Sequence, residues 1–324
     1  MNTILVTGGA GYIGSHTVTK LLNSNYNVIV ADDLSTGHKD AVDSRAKFYQ
    51  CDVSDEKQFS KIFDLEQIDA VLHCAGKIVV SESVKDPLNY FEHNVCGLNS
   101  VLRVIADKGV NKFMFSSTAS IYGNNSFNIK AVESTPIAPT NPYAESKHIG
   151  EQMIHWVSER YGINYVIFRY FNVAGAMLDG SNGLRTKNPT HLIPSINSTL
   201  LGKREVFEIF GDDYNTEDGT CIRDFIHVFD LAKAHQLGMD YLFNDGTSTV
   251  FNLGTEQGYS VKQVVDAAQK VTGLTLNKKI SERRGGDPDF VLANATKARA
   301  TLNWSPEYTL GDMILSDYNW RKKL

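Results

Sequence analysis

The first half of the chain alternates short β-branched runs with stretches of helical period. Apolar runs at 3–7, 27–31, 47–50, 70–74, 112–116 and 164–169 predict strands, and the patterns between them predict helices over 12–24, 55–65, 88–108 and 143–161. Strand-helix alternation of this kind means βαβ units and a doubly wound parallel sheet. Beyond about residue 175 the texture changes. Gly, Asn, Asp and Thr become frequent through 176–190 and 211–221, and strands are expected to be sparse. Helices are predicted near 228–243, 260–272, 294–302 and 309–322, with a strand near 250–254. The pattern therefore predicts an α/β chain with a sheet domain over 1–175 and a smaller, loop-rich α/β domain over 176–324. The 224–243 segment is placed to pack back on the first domain.

Composition narrows the class without deciding it. Hydrophobic residues make up 42% and charged residues 21% of the 324 positions, ordinary for a soluble chain with a sizeable core. A formal net charge of −5 argues against a dedicated nucleic-acid surface but permits local basic pockets for an anionic ligand. Cys51, Cys74, Cys96 and Cys221 show neither a CxxC pair nor a metal-ligand spacing, so free thiols in a reducing compartment and no metal are expected. No apolar run approaches the ~20 residues of a membrane span. Residues 3–7 enter a strand without a charged leader. A cytoplasmic protein with no membrane partner is the expectation.

The stretch ILVTGGAGYIGSHTVTKLL sets Gly8, Gly11 and Gly14 between a strand and a helix. Glycines at this spacing give a tight turn, close approach of backbone to a pyrophosphate, and close packing of helix on strand; the anion then sits at the helix N-terminus. The next strand, NVIVADD, brings Asp32 about 20 residues past the turn, where a carboxylate suits adenosine ribose hydroxyls and repels a 2′-phosphate. The first domain is thus expected to be a Rossmann-type fold that takes NAD in preference to NADP. In CDVSD, Asp52 is placed either for the adenine amino group or as the N-cap of the 55–65 helix.

In NPYAESK, Tyr143 and Lys147 stand four residues apart, which on a helix stacks them on one face. A cation beside a phenol eases formation of the phenolate, so the pair reads either as a working acid/base or as an aromatic and a lysine sharing a surface. With the glycine turn, and with FSSTASIYGN ending a strand in hydroxyl residues, the chain resembles the extended short-chain dehydrogenase/reductase family. The resemblance implies that Tyr143 is the catalytic acid/base, that Lys147 lowers its pKa and binds the nicotinamide ribose, and that Thr118 holds the substrate hydroxyl. An unassisted tyrosine, with a pKa near 10, would be a poor base.

Within that family the whole chain is similar to the UDP-glucose 4-epimerase branch, through GGAGYIGSHT, SSTASIYG, NPYAESK, FRYFNVAGA, HLIP, IFGDDYNTEDGTCIRDFIHV, RRGGDPD and LNWSP. The resemblance implies a UDP-sugar substrate, tightly held NAD, and inversion at C4 through a 4-keto sugar. It places Arg223 and Arg284 on the diphosphate and Asp287 on the uridine ribose. Asn172, His191 and Leu192 fall on the sugar diphosphate, and Glu208, Ile209 and Phe210 at uracil. For NAD it adds Tyr12, Ile13, Val53, Cys74, Ala75, Asn94 and Phe171. The loop AGKIVVSES departs from the family pattern: the aligned position of a ribose-contacting lysine holds Ile78, with Lys77 one residue earlier. Counting along GGDPDFVLAN sets Val291 against the sugar's 2-substituent, or Phe290 if the register slips by one. Members of the family that dehydrate sugars carry Asp-Glu after the threonine; here Ala119 and Ser120 follow Thr118. The 88–108 and 143–161 helices suit pairing in a homodimer, as in family members.

Overall fold

Ile4, Leu5 and Val6 are all fully buried in the first strand, β1 (Thr3–Thr7), as in a parallel sheet covered on both faces. The computed structural model describes residues 1–123, 130–186, 189–283 and 287–324. After β1 come α1 (Tyr12–Asn23), β2 (Asn27–Asp32), β3 (Lys47–Gln50), α2 (Glu56–Leu65) and β4 (Ala70–His73). Asp55 caps α2 by accepting from the N–H groups of Lys57 and Gln58, so Asp52 is not its cap.

The helix expected over 88–108 is more broken than its periodicity suggested. A short α3 (Val80–Lys85) precedes α4 (Pro87–Phe91), which Asp86 caps and Pro87 opens. The chain then widens into a π-helical turn, Glu92–Cys96, before α5 (Gly97–Asp107). β5 (Lys112–Thr118), α6 (Pro142–Tyr161) and β6 (Asn164–Tyr170) follow. Asn141 caps α6 through the N–H of Ala144, Pro142 stands in its first turn, and Gly162 ends it in the left-handed conformation.

Further along lie β7 (Asn172–Ala174), α7 (Leu192–Leu200), β8 (Phe207–Phe210), β9 (Ile222–His227), α8 (Val228–Phe243) and β10 (Thr249–Leu253). The last elements are β11 (Gly258–Ser260), α9 (Val261–Thr272), β12 (Lys278–Ser281), β13 (Phe290–Val291), α10 (Thr296–Leu302) and α11 (Leu310–Arg321). Strands in this half are short but not sparse, which corrects the expectation from its Gly- and Asn-rich texture.

The large sheet runs β3-β2-β1-β4-β5-β6-β10. β1 pairs in parallel with both β2 and β4, β2 with β3, and β4 with β5. This is the doubly wound Rossmann order, in which the connection reverses beside β1 and opens a crevice at the strand ends. Its core gathers Leu5, Ile29, Phe59, Leu98, Phe113, Phe115 and Ile167.

The chain divides into two compact units, though not by a single cut at 175. The first holds Met1–Gly123, Pro136–Arg169 and Ala232–Phe251; the second holds residues 130–135, Tyr170–Leu231 and Asn252–Leu324. Of the 224–243 segment, residues from Ala232 onward belong to the first unit, since the strand that follows them completes the large sheet. In the second unit β9 is central: Ile222–Asp224 pair with β11, Phe225–His227 pair with β7, and β13 lies alongside Ile222 and Arg223. β8 and β12 form a separate parallel pair. Phe207, Ile209, Phe225, Val264, Leu276 and Met313 form this unit's own core.

Candidate active site

The glycine turn is built for close approach. Gly8 has φ +69°, and a Cβ there would fall 2.6 Å from the Ala75 nitrogen; one at Gly14 would fall 2.2 Å from the Gly8 carbonyl oxygen. Any side chain at either position would drive β1, α1 and the end of β4 apart. Gly11 caps α1 with no side-chain bond, so nothing projects over Tyr12 and Ile13 at the positive end of the helix. Asp32 lies at the end of β2, 7% exposed. Its Oδ2 accepts from the Ala10 N–H at 2.9 Å and its Oδ1 from the Leu34 N–H at 2.9 Å. Burial pushes this carboxyl up while those two bonds pull it down. A carboxylate fixed against the glycine turn, with lone pairs remaining on both oxygens, fits the ribose of a dinucleotide whose pyrophosphate rests on the turn. Asp52 lies exposed after β3, its Oδ1 held by the Ser54 N–H and hydroxyl, and Val53 is half-buried beside it.

Asn94 uses its whole amide to fix a loop. Its Oδ1 accepts from the Lys77 N–H at 2.8 Å, and its Nδ2 donates to the Lys77 carbonyl at 3.0 Å and to the Ser146 hydroxyl at 2.9 Å. The π turn that interrupts the helix carries this residue, a placement common where a helix bends to serve a site. Cys74 and Ala75 form the exit of β4 above the loop, and the Cys74 thiol lies 3.2 Å from the Ser116 hydroxyl. Lys77 is thereby held by its backbone, and Ile78 beside it is exposed.

Tyr143 lies in the first turn of α6, where the helix dipole favours negative charge, and is 7% exposed. The Thr118 side chain acts on the phenol and draws its pKa down, while the Thr118 hydroxyl itself donates to Ser120 Oγ at 3.1 Å. Thr118 Oγ1 also accepts from the Ser120 N–H at 3.1 Å, which turns the chain sharply at the end of β5. Lys147, one turn along, donates from Nζ to the Ser116 carbonyl at 2.9 Å and lies 4.7 Å from the centre of the Phe115 ring. The structure thus brings the three predicted catalytic residues together. Burial pushes Tyr143 up to about 12, opposed by Thr118, and the ammonium is not among the groups acting on the phenol. Burial in turn holds Lys147 down to about 8.

In the second unit Arg223 and Asp287 form an ion pair at 3.5 Å, and Arg223 Nη1 also donates to the Pro288 carbonyl at 2.8 Å. Two predicted anchors on distant stretches of sequence are therefore neighbours; Arg284 lies outside the described residues. Val291 is the register partner of Arg223, and Phe290 that of Ile222. Asn172, on β7, donates from Nδ2 to the Asp224 carbonyl at 2.9 Å. Phe171 is buried, its N–H bonded to the Leu253 carbonyl at 3.1 Å. His191 occupies the N-cap of α7 without a side-chain capping bond, and Leu192 opens that helix. On β8, Ile209 points into the unit's core, which leaves only its backbone to line a pocket. Glu208 and Phe210 point the other way, with Glu208 paired to Lys279 at 2.7 Å. Sequence reasoning missed Asp224, a fully buried carboxylate that accepts from the N–H groups of Thr255, Glu256 and Ala293. It also missed Glu151 and Arg169, a buried ion pair at 2.5 Å on α6 and β6. Glu151 could have been found at twice the Tyr143-to-Lys147 spacing.

The profile of the NAD dependent epimerase/dehydratase family matches residues 4–254. UDP-glucose 4-epimerase of Halalkalibacterium halodurans is 47% identical over 321 residues, 99% of this chain and 96% of its own. The structure of UDP-glucose 4-epimerase from Bifidobacterium longum in complex with NAD+ and UDP aligns with a TM-score of 0.93 at 37% identity, covering 99% of this chain and 98% of that one. The UDP-Glc/GlcNAc 4-epimerase of Campylobacter jejuni aligns with a TM-score of 0.88 at 40% identity over 100% of both chains. The profile takes in the glycine turn, the Tyr–Lys helix and β9 alike, and the relatives extend the likeness to nearly every residue; the chain belongs to the NAD dependent epimerase/dehydratase family.

Proposed function

We propose that the chain is a UDP-glucose/UDP-galactose 4-epimerase that works with bound NAD. The observation that carries the reading is the burial of Tyr143 and Thr118 together at the end of β5, with Lys147 held one turn along by the Ser116 carbonyl. Bound NAD, held by the glycine turn and Asp32, would supply a reversible hydride acceptor for the sugar C4. Tyr143 takes the proton of the 4-hydroxyl, because an alcohol yields hydride readily only as its proton leaves. Thr118 orients that hydroxyl, and Lys147 gives the site a cation. Positive charge brought beside the phenol would draw it down from about 12, since an opposite charge favours the phenolate.

Gly8, Gly11, Tyr12, Ile13 and Gly14 would hold the pyrophosphate, Asp32 the adenosine ribose, and Asp52 and Val53 the adenine. Cys74, Ala75, Asn94, Lys147 and Phe171 would line the nicotinamide end. Arg223 and Arg284 would take the UDP diphosphate, where a guanidinium fork suits phosphate oxygens, and Asp287 the uridine ribose. Asn172, His191 and Leu192 would contact the sugar diphosphate, and Glu208, Ile209 and Phe210 the uracil.

A wider substrate range belongs to the same proposal. Val291 stands beside Arg223, and valine lacks the bulk to exclude an acetamido group, so N-acetylhexosamine nucleotides should also fit. We place the enzyme in the cytoplasm as a homodimer. Its four cysteines are free, no described helix is long and apolar enough to cross a membrane, and Val84, Leu88 and Trp156 on α3, α4 and α6 are 63%, 78% and 71% exposed. The test is to add UDP-galactose to the purified protein. Formation of UDP-glucose with a transient rise in reduced-nicotinamide absorbance is expected; absence of both refutes the reading.

A further inference from the structure

Three consecutive residues of β5 each serve a different turn of α6, two of them through hydrogen bonds. The Thr118 side chain acts on the Tyr143 phenol, the Ser116 carbonyl accepts from Lys147, and the Ser117 hydroxyl donates to Glu151 Oε1 at 2.5 Å. On α6 the partners stand at 143, 147 and 151, one face of the helix at successive turns. Ser117 is fully buried and Glu151 is 7% exposed, so water does not compete for the Ser117–Glu151 bond.

Glu151 is itself rigidly held. Arg169 donates from Nε at 3.0 Å to Oε1 and from Nη2 at 2.5 Å to Oε2, a two-pronged pair that fixes the plane of the carboxylate. Arg169 Nη1 donates to the Tyr122 hydroxyl at 3.0 Å, and its guanidinium lies 5.3 Å from that ring. Tyr122 closes the short turn that begins after Thr118. The same carboxylate is therefore tied to the residue before Thr118 and, through Arg169, to the turn after it. Gly150 lets the helix come this close: a Cβ there would lie 3.0 Å from Leu98 Cδ2 and 3.1 Å from Phe115 Cζ.

We propose that Glu151 is a positioning residue of the catalytic centre: through Ser117 it locks the end of β5 to α6, and so sets the Ser116–Lys147 bond and the placement of Thr118 beside Tyr143. Glu151 touches neither cofactor nor substrate in this role. A proton transfer depends steeply on the placement of its partners, and a misplacement of about 1 Å can cost ~100-fold in rate. The inference rests on the epimerase reading for its kinetic consequence, but its geometric content stands apart from that activity.

Ser117→Ala removes the pin and leaves the Glu151–Arg169 pair intact. The expected result is a kcat at least tenfold lower, with KM for UDP-galactose and bound NAD unchanged, a melting temperature only a few degrees lower, and a crystal structure of the variant in which the Ser116–Lys147 bond is broken. Ser117→Thr keeps a hydroxyl on the same carbon and should recover most of kcat and the bond. A Ser117→Ala protein with wild-type kcat overturns the proposal, as does one whose lost activity follows only lost NAD or lower stability. So does a variant structure in which Lys147 still meets the Ser116 carbonyl. Wild-type protein inert toward UDP-sugars would refute the activity, while the variant's crystal structure would still decide the positioning.

Discussion

The Lys147 ammonium lies 2.9 Å from the Ser116 carbonyl oxygen, a bond made inside the protein where the lysine is only 4% exposed. Burial holds its pKa down to about 8 from the ordinary 10.5, with Cys74 and Glu151 pulling it back up. Between those values the unfolded chain keeps this proton and the folded chain does not, so raising pH through the window stabilises the fold. Below it the folded protein carries a buried ammonium at full cost. Lys147→Met should remove the effect. Relative to that variant, wild type should gain up to ~3 kcal/mol between pH 8 and 10. Tyr143, raised to about 12, acts in the opposite sense above its ordinary value of 10.0 and leaves this window clear. Melting curves at several pH values check it; parallel profiles for the two proteins would contradict the burial argument.

Tyr143→Phe should abolish turnover while NAD content and UDP binding stay near wild type. The ring still fills its place in α6, and Lys147 keeps its bond to Ser116. A positioned acid/base contributes typically ~10²–10⁴-fold, so a kcat loss below tenfold would remove Tyr143 from the mechanism.

Asp32→Asn should narrow the preference for NAD over NADP. The carboxylate accepts two backbone N–H groups, and an amide can accept only one of them, so the variant loses both the charge that repels a 2′-phosphate and part of the turn's support. Calorimetric titration of cofactor-stripped protein should show the ratio of the two affinities falling roughly tenfold, about 1.4 kcal/mol. An unchanged ratio would mean that Asp32 does not meet the ribose.

Arg223→Ala should weaken UDP-sugar binding with NAD content unchanged. A hydrogen bond to a charged partner contributes about 1.5–3 kcal/mol, so KM should rise roughly tenfold or more. The variant also releases Asp287 and the Pro288 carbonyl, which adds to the loss. Loss of NAD with UDP affinity intact would reverse the assignment of these residues.

The first unit was legible because its strands are continuous apolar runs bounded by glycine turns, as TILVT in β1 shows. β9 was not, because IRDFIH mixes charge with apolar residues. Asp224 and His227 look like loop residues until their partners are known: Asp224 is satisfied by backbone N–H groups from Thr255 and Ala293, far along the chain. α7 was hidden for a similar reason. LIPSINSTL carries a proline and small polar residues, yet it is buried, with Asn197 donating to the Ile314 carbonyl and Ser195 to that of Pro189. In the site, motifs named Tyr143, Lys147 and Thr118, since their chemistry demands a fixed spacing. Glu151 and Ser117 act through geometry across two elements, and nothing in either local stretch reveals that they meet.

Val291→Tyr should separate the two halves of the proposed substrate range. The register sets Val291 opposite Arg223 across β13 and β9, with Phe290 opposite Ile222, so the valine and the arginine project from the same side of the sheet. Tyr259, on β11, is the partner of Arg223 on its other flank, so Tyr259, Arg223 and Val291 form one row. If Arg223 holds the diphosphate, the residue in its row stands near the sugar, and Phe290 faces away. A tyrosine at 291 would fill the space that an acetamido group needs and leave a hydroxyl at the sugar's 2-position unhindered. The expected outcome is loss of activity on UDP-N-acetylgalactosamine by at least tenfold, with UDP-galactose turnover within about threefold of wild type. The measurement is a product assay on both substrates at saturating concentration. Wild-type enzyme inert toward the N-acetylated sugar would refute the wider range outright. Equal loss on both substrates would show that Val291 supports the β13–β9 pairing and does not gate the sugar.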